Sequence, residues 1–150
     1  MVKVEINFDD ENWKILIPDC KKIINQAVKK TFQETLGSKK LDTEVSILLT
    51  TNKEIKKLNY NHRNKNKATN VLAFPMNNIN NNKNIILGDI AIALETIVIE
   101  AREYKMSKKK YLSKMAIHGV LHLIGYDHIN NEDFKKMNTI EKIIFKKIYA

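Results

Sequence analysis

Cysteine occurs once in these 150 residues, at Cys20. That excludes an internal disulfide and any zinc site built from several thiolates, and it suits a reducing compartment. Long apolar runs are missing too. The longest, residues 85 to 99, is interrupted by Asp89 and Glu95 and cannot serve as a membrane span. The amino terminus alternates apolar and polar residues from Val2 to Ile6 and then meets Asp9, Asp10 and Glu11. It lacks the basic start and unbroken apolar stretch of a secretory signal, so a soluble, cytoplasmic protein without membrane contact is expected. Neither a linker nor an internal repeat divides the chain. One domain spanning residues 1–150 is long enough to bury a hydrophobic core without staples.

What is abundant is positive charge. Twenty-six lysines and arginines against 17 acids give a formal net charge of +9, which favours anionic partners, nucleic acid first. Lysine and asparagine are plentiful throughout, as an A/T-rich coding bias would also make them, so charge alone does not decide the partner.

The hydrophobic pattern predicts an α+β fold, a small mixed sheet of about four strands packed with about five helices. Val2, Val4 and Ile6 mark a half-buried first strand. Ile23, Ile24, Ala27, Val28, Thr31 and Phe32 recur at helical spacing, with Gly37 as the stop. Residues 44–50 read as a second strand. Thr51 and Glu54 have capping-box spacing for a helix to about Asn61. A short strand over 70–74 is closed by Pro75, an asparagine-rich hairpin connection covers 77–84, and a further strand covers 85–94. Gly88 within it marks a bulge or close backbone approach. Helices are expected over 95–105, from a Ser107 cap to Ile124, and over 131–149.

Three of the four histidines fall within eleven residues, as His118-Gly119-Val120-Leu121-His122-Leu123-Ile124-Gly125-Tyr126-Asp127-His128. Residues four apart share a helix face, with Cβ atoms about 5–6 Å apart, so His118 and His122 can aim ring nitrogens at one point. Gly125 is placed to end the helix in a left-handed cap, after which His128 can approach from outside the helix. Met115, Ala116, Ile117, Val120, Leu121, Leu123 and Ile124 make the helix apolar nearly all round, which predicts a central, buried element. A lone histidine on such a helix is usually a packed core residue. Three at this spacing, with two of the chain's four glycines beside them, point instead to one shared metal ion. Three protein ligands leave a tetrahedral ion one open position, as catalytic sites do.

The spacing His-x3-His-x2-Gly-x2-His also occurs in zinc peptidases, which carry a general-base glutamate directly after the first histidine. Here that position is Gly119, which can neither take nor give a proton. The metal geometry is retained and the peptidase base is not, so a different hydrolysis is indicated.

At this point the chain resembles the YbeY endoribonucleases, or ribosomal RNA maturation factors. The run His118 to His128 is similar to that family's signature throughout. Residues 63–75, reading Arg-Asn-Lys-Asn-Lys-Ala-Thr-Asn-Val-Leu-Ala-Phe-Pro, resemble its Arg-Gly-Lys-x-Lys-Pro-Thr-(Asp/Asn)-Val-Leu-Ser-Phe-Pro stretch. Leu87-Gly88-Asp89-Ile90 resembles its third motif, and order and separations agree along nearly the whole chain. His62, Asn64, Ala68 and Ala73 depart from the family's usual tyrosine, glycine, proline and serine.

The resemblance implies a zinc-dependent, single-strand-selective endoribonuclease acting in ribosomal RNA (16S 3′ end) maturation and ribosome quality control. Ribosomal RNA and the small ribosomal subunit are the implied partners. It implies one Zn²⁺ per chain on His118, His122 and His128, with Ni²⁺ or another imidazole-loving ion as the alternative. Such an ion lowers the pKa of a water it holds from about 15.7 toward about 7. Arg63 is the implied catalytic and RNA-binding residue, since a guanidinium fork can hold two phosphate oxygens at once. Lys65 and Lys67 would follow the sugar–phosphate backbone. Asp127 is a candidate hydrogen-bond partner for a ligand histidine. Lys108, Lys109 and Lys110 are read as a solvated face, and no further general base stands out. A zinc-containing ribosome-assembly factor without catalysis and a zinc peptidase with an atypical base are the alternatives.

Overall fold

A computed structural model describes residues 2–36, 42–63, 69–79, 84–127 and 129–149. In chain order the elements are β1 (Val2–Phe8), α1 (Asn12–Leu16), α2 (Cys20–Leu36), β2 (Asp42–Thr50), α3 (Asn52–Arg63), β3 (Val71–Ile79), β4 (Asn84–Ala93), α4 (Leu94–Glu103), α5 (Lys108–Ile124) and α6 (Asn131–Ile148). The four strands form one sheet in the order β1-β2-β4-β3. β1 runs parallel to β2 and β2 to β4, while β3 pairs antiparallel with β4, so the sheet is mixed as the pattern predicts.

The strands alternate their faces, and that alternation sorts the helices. Val45, Ile47 and Leu49 of β2 join Leu87, Ile90 and Ile92 of β4 beneath α2 and α5 in the main core. On the opposite face Leu72, Ala91 and Ala93 pack with Ile55 of α3, and Leu48, Leu58 and Phe74 close that smaller cluster. A third cluster seats α6 against α5 and α2 through Ala27, Ala116, Ile117, Leu121, Met137 and Ile144. No helix among the described residues is long and apolar enough to cross a membrane.

Six helices, not five, are present among the described residues. The additional one, α1, is a five-residue turn too short to show a periodic pattern. Asp10 accepts from the Asn12 backbone N–H at 2.7 Å, and Trp13 is fully buried with its indole N–H donating to the Thr50 carbonyl at 2.9 Å. Thus α1 is held by tertiary contacts rather than by local propensity. The other correction concerns Pro75. It does not close β3, which continues to Ile79. As the sheet's edge, β3 can carry a residue without an N–H, and the pairing shifts register between Pro75 and Asn78.

Gly88 sits at that irregularity with φ 140°, and a Cβ added there would lie 2.1 Å from the Phe74 carbonyl oxygen. The close approach expected from the sequence is therefore real. At the base of β3, Asn70 donates from Nδ2 to Glu100 Oε1 at 2.9 Å, and the Tyr111 hydroxyl donates to the same oxygen at 2.8 Å. These bonds tie β3 to α4 and α5. Burial, reinforced by the Glu100 carboxylate, holds the Tyr111 hydroxyl well above the ordinary tyrosine range.

Two outcomes follow. Gly88→Ala should cost about 3 kcal/mol, read as a lower urea midpoint with an unchanged m-value. At alkaline pH the unfolded chain ionises Tyr111 from its ordinary pKa of 10.0 while the folded chain keeps the proton. Stability should then fall as pH rises past that value, and Tyr111→Phe should flatten this part of the denaturation profile.

Candidate metal centre

Helix α5 begins where expected, with the Ser107 hydroxyl accepting from the Lys110 N–H at 3.1 Å. It ends at Gly125, in the left-handed conformation with φ 117°, whose N–H reaches the carbonyls of Leu121 and His122. Between these caps ten residues are buried, among them Gly119. A Cβ at Gly119 would meet Ile90 and Val71 side chains at 3.1 to 3.3 Å, so the missing side chain lets α5 lie directly on β3 and β4. Gly119 therefore faces the sheet. Its place after the first histidine is a packing position that a glutamate could not occupy without separating helix and sheet.

His118 and His122 lie together on a half-exposed part of the same helix. Their rings meet edge-to-face at 79° with centroids 4.6 Å apart, and their Nε2 atoms are 3.1 Å from one another. A tetrahedral ion with Zn–N bonds near 2.0–2.1 Å would hold two ligand nitrogens about 3.3 Å apart. The pair is already spaced for a common ion, which is the fit required. The side chain of His118 is 26% exposed, so the pair has access to solvent.

On its other side His118 turns Nδ1 toward Glu141 Oε2 at 3.1 Å. Glu141 comes from α6 and its side chain is only 8% exposed. The acid on His118 is thus Glu141, while Asp127, a candidate partner for a ligand histidine, is exposed on the turn after Gly125. The sequence contained a signal for Glu141. Met137, Glu141 and Ile144 share one face of α6, and Glu141 is the single charged position within that buried seam.

His128, Lys65 and Lys67 lie outside the described residues, as does the side chain of Arg63, whose backbone ends α3. No group of three or more metal-ligating side chains is formed among the described residues, so the structure brings together two of the three expected ligands. Lys109, like Lys108 and Lys110, is exposed as expected of a solvated face. It pairs with Asp19 at 2.9 Å, and that bond holds the Asp19 carboxyl below its ordinary range. Lys110 lies over the Tyr149 ring at 5.6 Å.

The two remaining sequence segments meet on the other face of the sheet, where strand pairing sets Phe74 opposite Asp89. They line a cavity of about 500 Å³ together with Leu48, Leu58, His62 and Ala91. The exposed His62 ring rests against Phe74 at a centroid distance of 5.1 Å. Ala73, which replaces the usual serine, is buried in the main core, away from this cavity.

A mixed four-stranded sheet with a histidine pair on its central helix defines the class, and comparison with known proteins gives the family. The family model described as Endoribonuclease YbeY matches residues 5–149. A protein named Endoribonuclease YbeY from Bartonella henselae is 36% identical, over 99% of this chain and 94% of its own length. Its namesake from Pelagibacter ubique is 39% identical, over 99% of this chain and 97% of its own. The solution structure of TM1509 from Thermotoga maritima shares the fold with a TM-score of 0.56 at 26% identity, covering 99% of this chain and 92% of that one. This chain belongs to the endoribonuclease YbeY family.

Gly119→Glu tests the packing account against the peptidase alternative. The variant should lose about 3 kcal/mol or more of stability in chemical denaturation and gain no hydrolysis of an unfolded protein substrate.

Proposed function

We propose that this chain is a metal-dependent endoribonuclease that hydrolyses phosphodiester bonds in single-stranded RNA, and that it acts in the cytoplasm on ribosomal RNA. Maturation of the 16S 3′ end and ribosome quality control are the processes, and the small ribosomal subunit is the partner. Family membership supports the RNA chemistry. The observation that carries the metal reading is the pair of Nε2 atoms 3.1 Å apart on a buried helix, backed by a carboxylate.

His118, His122 and His128 would hold one zinc ion, with nickel as the alternative occupant, and leave a position open to solvent. When bound, such an ion would lower the pKa of water enough to supply hydroxide as the nucleophile near neutral pH. The chain's own residues do the rest. Arg63 holds the non-bridging phosphate oxygens as charge accumulates on them, and its bidentate fork also orients the bond to be cut. Lys65 and Lys67 follow it at alternating positions and contact neighbouring phosphates without reading the bases. The net charge of +9 draws the polyanion in and makes the encounter salt-sensitive. Glycine in place of the peptidase base leaves no group on α5 suited to peptide hydrolysis.

The test incubates metal-loaded protein with single-stranded RNA, duplex RNA and an unfolded protein, with and without chelator. Cleavage of single-stranded RNA alone, abolished by chelator, is the expected result. Arg63→Ala should lower the rate by roughly 100- to 1,000-fold with metal content unchanged. His122→Ala should lose both metal and cleavage. Protein hydrolysis would favour the peptidase. Tight ribosomal RNA binding without cleavage, unchanged in a folded His122→Ala variant, would favour a non-catalytic assembly factor.

A further inference from the structure

A glutamate in the middle of an apolar helix seam calls for a reason. Met137 and Ile144, four and three residues away on α6, are buried against α5 and α2, and a hydrophobic residue at 141 would complete that contact. Burying a carboxylate there instead incurs a desolvation cost that one hydrogen bond to a neutral imidazole offsets poorly. The side chain makes sense if the ring it touches is polarised from its far side.

We infer that Glu141 is a positioning residue for the metal centre: it holds the Nδ1–H of His118, fixing the tautomer and rotation that aim Nε2 at the ion. The inference rests on the metal reading proposed above. A carboxylate can only accept, so the 3.1 Å contact requires the proton of His118 to reside on Nδ1. That leaves a lone pair on Nε2, the atom that lies 3.1 Å from Nε2 of His122. For both rings to serve one ion, neither Nε2 can carry a proton. The carboxylate would also balance part of the ion's charge. Because Glu141 stands on α6, the carboxy-terminal helix becomes part of the site. Its seating through Met137, Ile144 and the Asn130 cap sets where His118 points.

The test uses the full chain with Glu141→Met, which keeps size and removes the acceptor, and Glu141→Gln, which keeps an acceptor without charge. Circular dichroism and thermal melting establish the fold. Nitrogen-15 NMR of the metal-free protein should show His118 protonated on Nδ1 in the wild type and in Glu141→Gln, and shifted toward Nε2–H in Glu141→Met. Zinc affinity by chelator competition should fall 10- to 100-fold in Glu141→Met, with Glu141→Gln between it and the wild type. A wild-type His118 carrying its proton on Nε2 overturns the inference, with no variant needed. So does a folded Glu141→Met that binds zinc as tightly as the wild type. Should the wild type hold no metal, the metal reading fails, and the His118 tautomer still decides what Glu141 does.

Discussion

The contact of Gly119 with Ile90 and Val71 governs the architecture around the site. It sets the distance between α5 and the sheet at a point one residue from His118. A helix packed this closely cannot rotate without driving a backbone turn into two branched side chains, so the face carrying His118 and His122 is fixed by the core beneath it. The rigidity of the histidine pair is therefore inherited from hydrophobic packing. The ends of α5 add to it, since the Ser107 cap and the left-handed Gly125 satisfy backbone groups that would otherwise fray. The placement of the histidine pair and the stability of the fold thus depend on the same few residues.

Much of this was legible in the amino-acid sequence because the relevant signals are local. The i, i+4 histidines, the Ser107 and Gly125 caps and the apolar stripe of α2 each depend on periodicity or backbone chemistry that a short window contains. Gly88 announced a close approach, though not that the Phe74 carbonyl is what approaches. The parts that escaped are those decided at a distance. α1 is defined by Trp13 reaching Thr50, and β3 runs past Pro75 because it lies at an edge of the sheet. Glu141 lies 23 positions from the histidine it touches, so only the packing of α6 could reveal the pairing. The roles of Arg63, Lys65, Lys67 and His128 rest on the family resemblance, as they did before the fold was known.

The charge excess can also be placed. Several lysines are engaged with acids, including Lys147 with Glu34 at 2.7 Å, Lys109 with Asp19 at 2.9 Å and Lys57 with Glu54 at 3.4 Å. Exposed pairs of this kind contribute little to stability. Each cancels one charge of either sign, so the surplus of nine positive charges survives all such pairing and is available to a polyanion. Among the described residues, the cavity wall combines Leu48, Leu58 and Ala91 with the acid Asp89.

The rim formed by β3 has a consequence for how other molecules can approach. An open sheet edge ordinarily offers a row of backbone donors and acceptors on which a foreign strand can grow. Here Pro75 deletes one donor and the shifted register between Pro75 and Asn78 bends the row out of line. That border is a poor template for strand addition and for self-association by the same route. A strand laid along it would find its ladder of hydrogen bonds broken at Pro75.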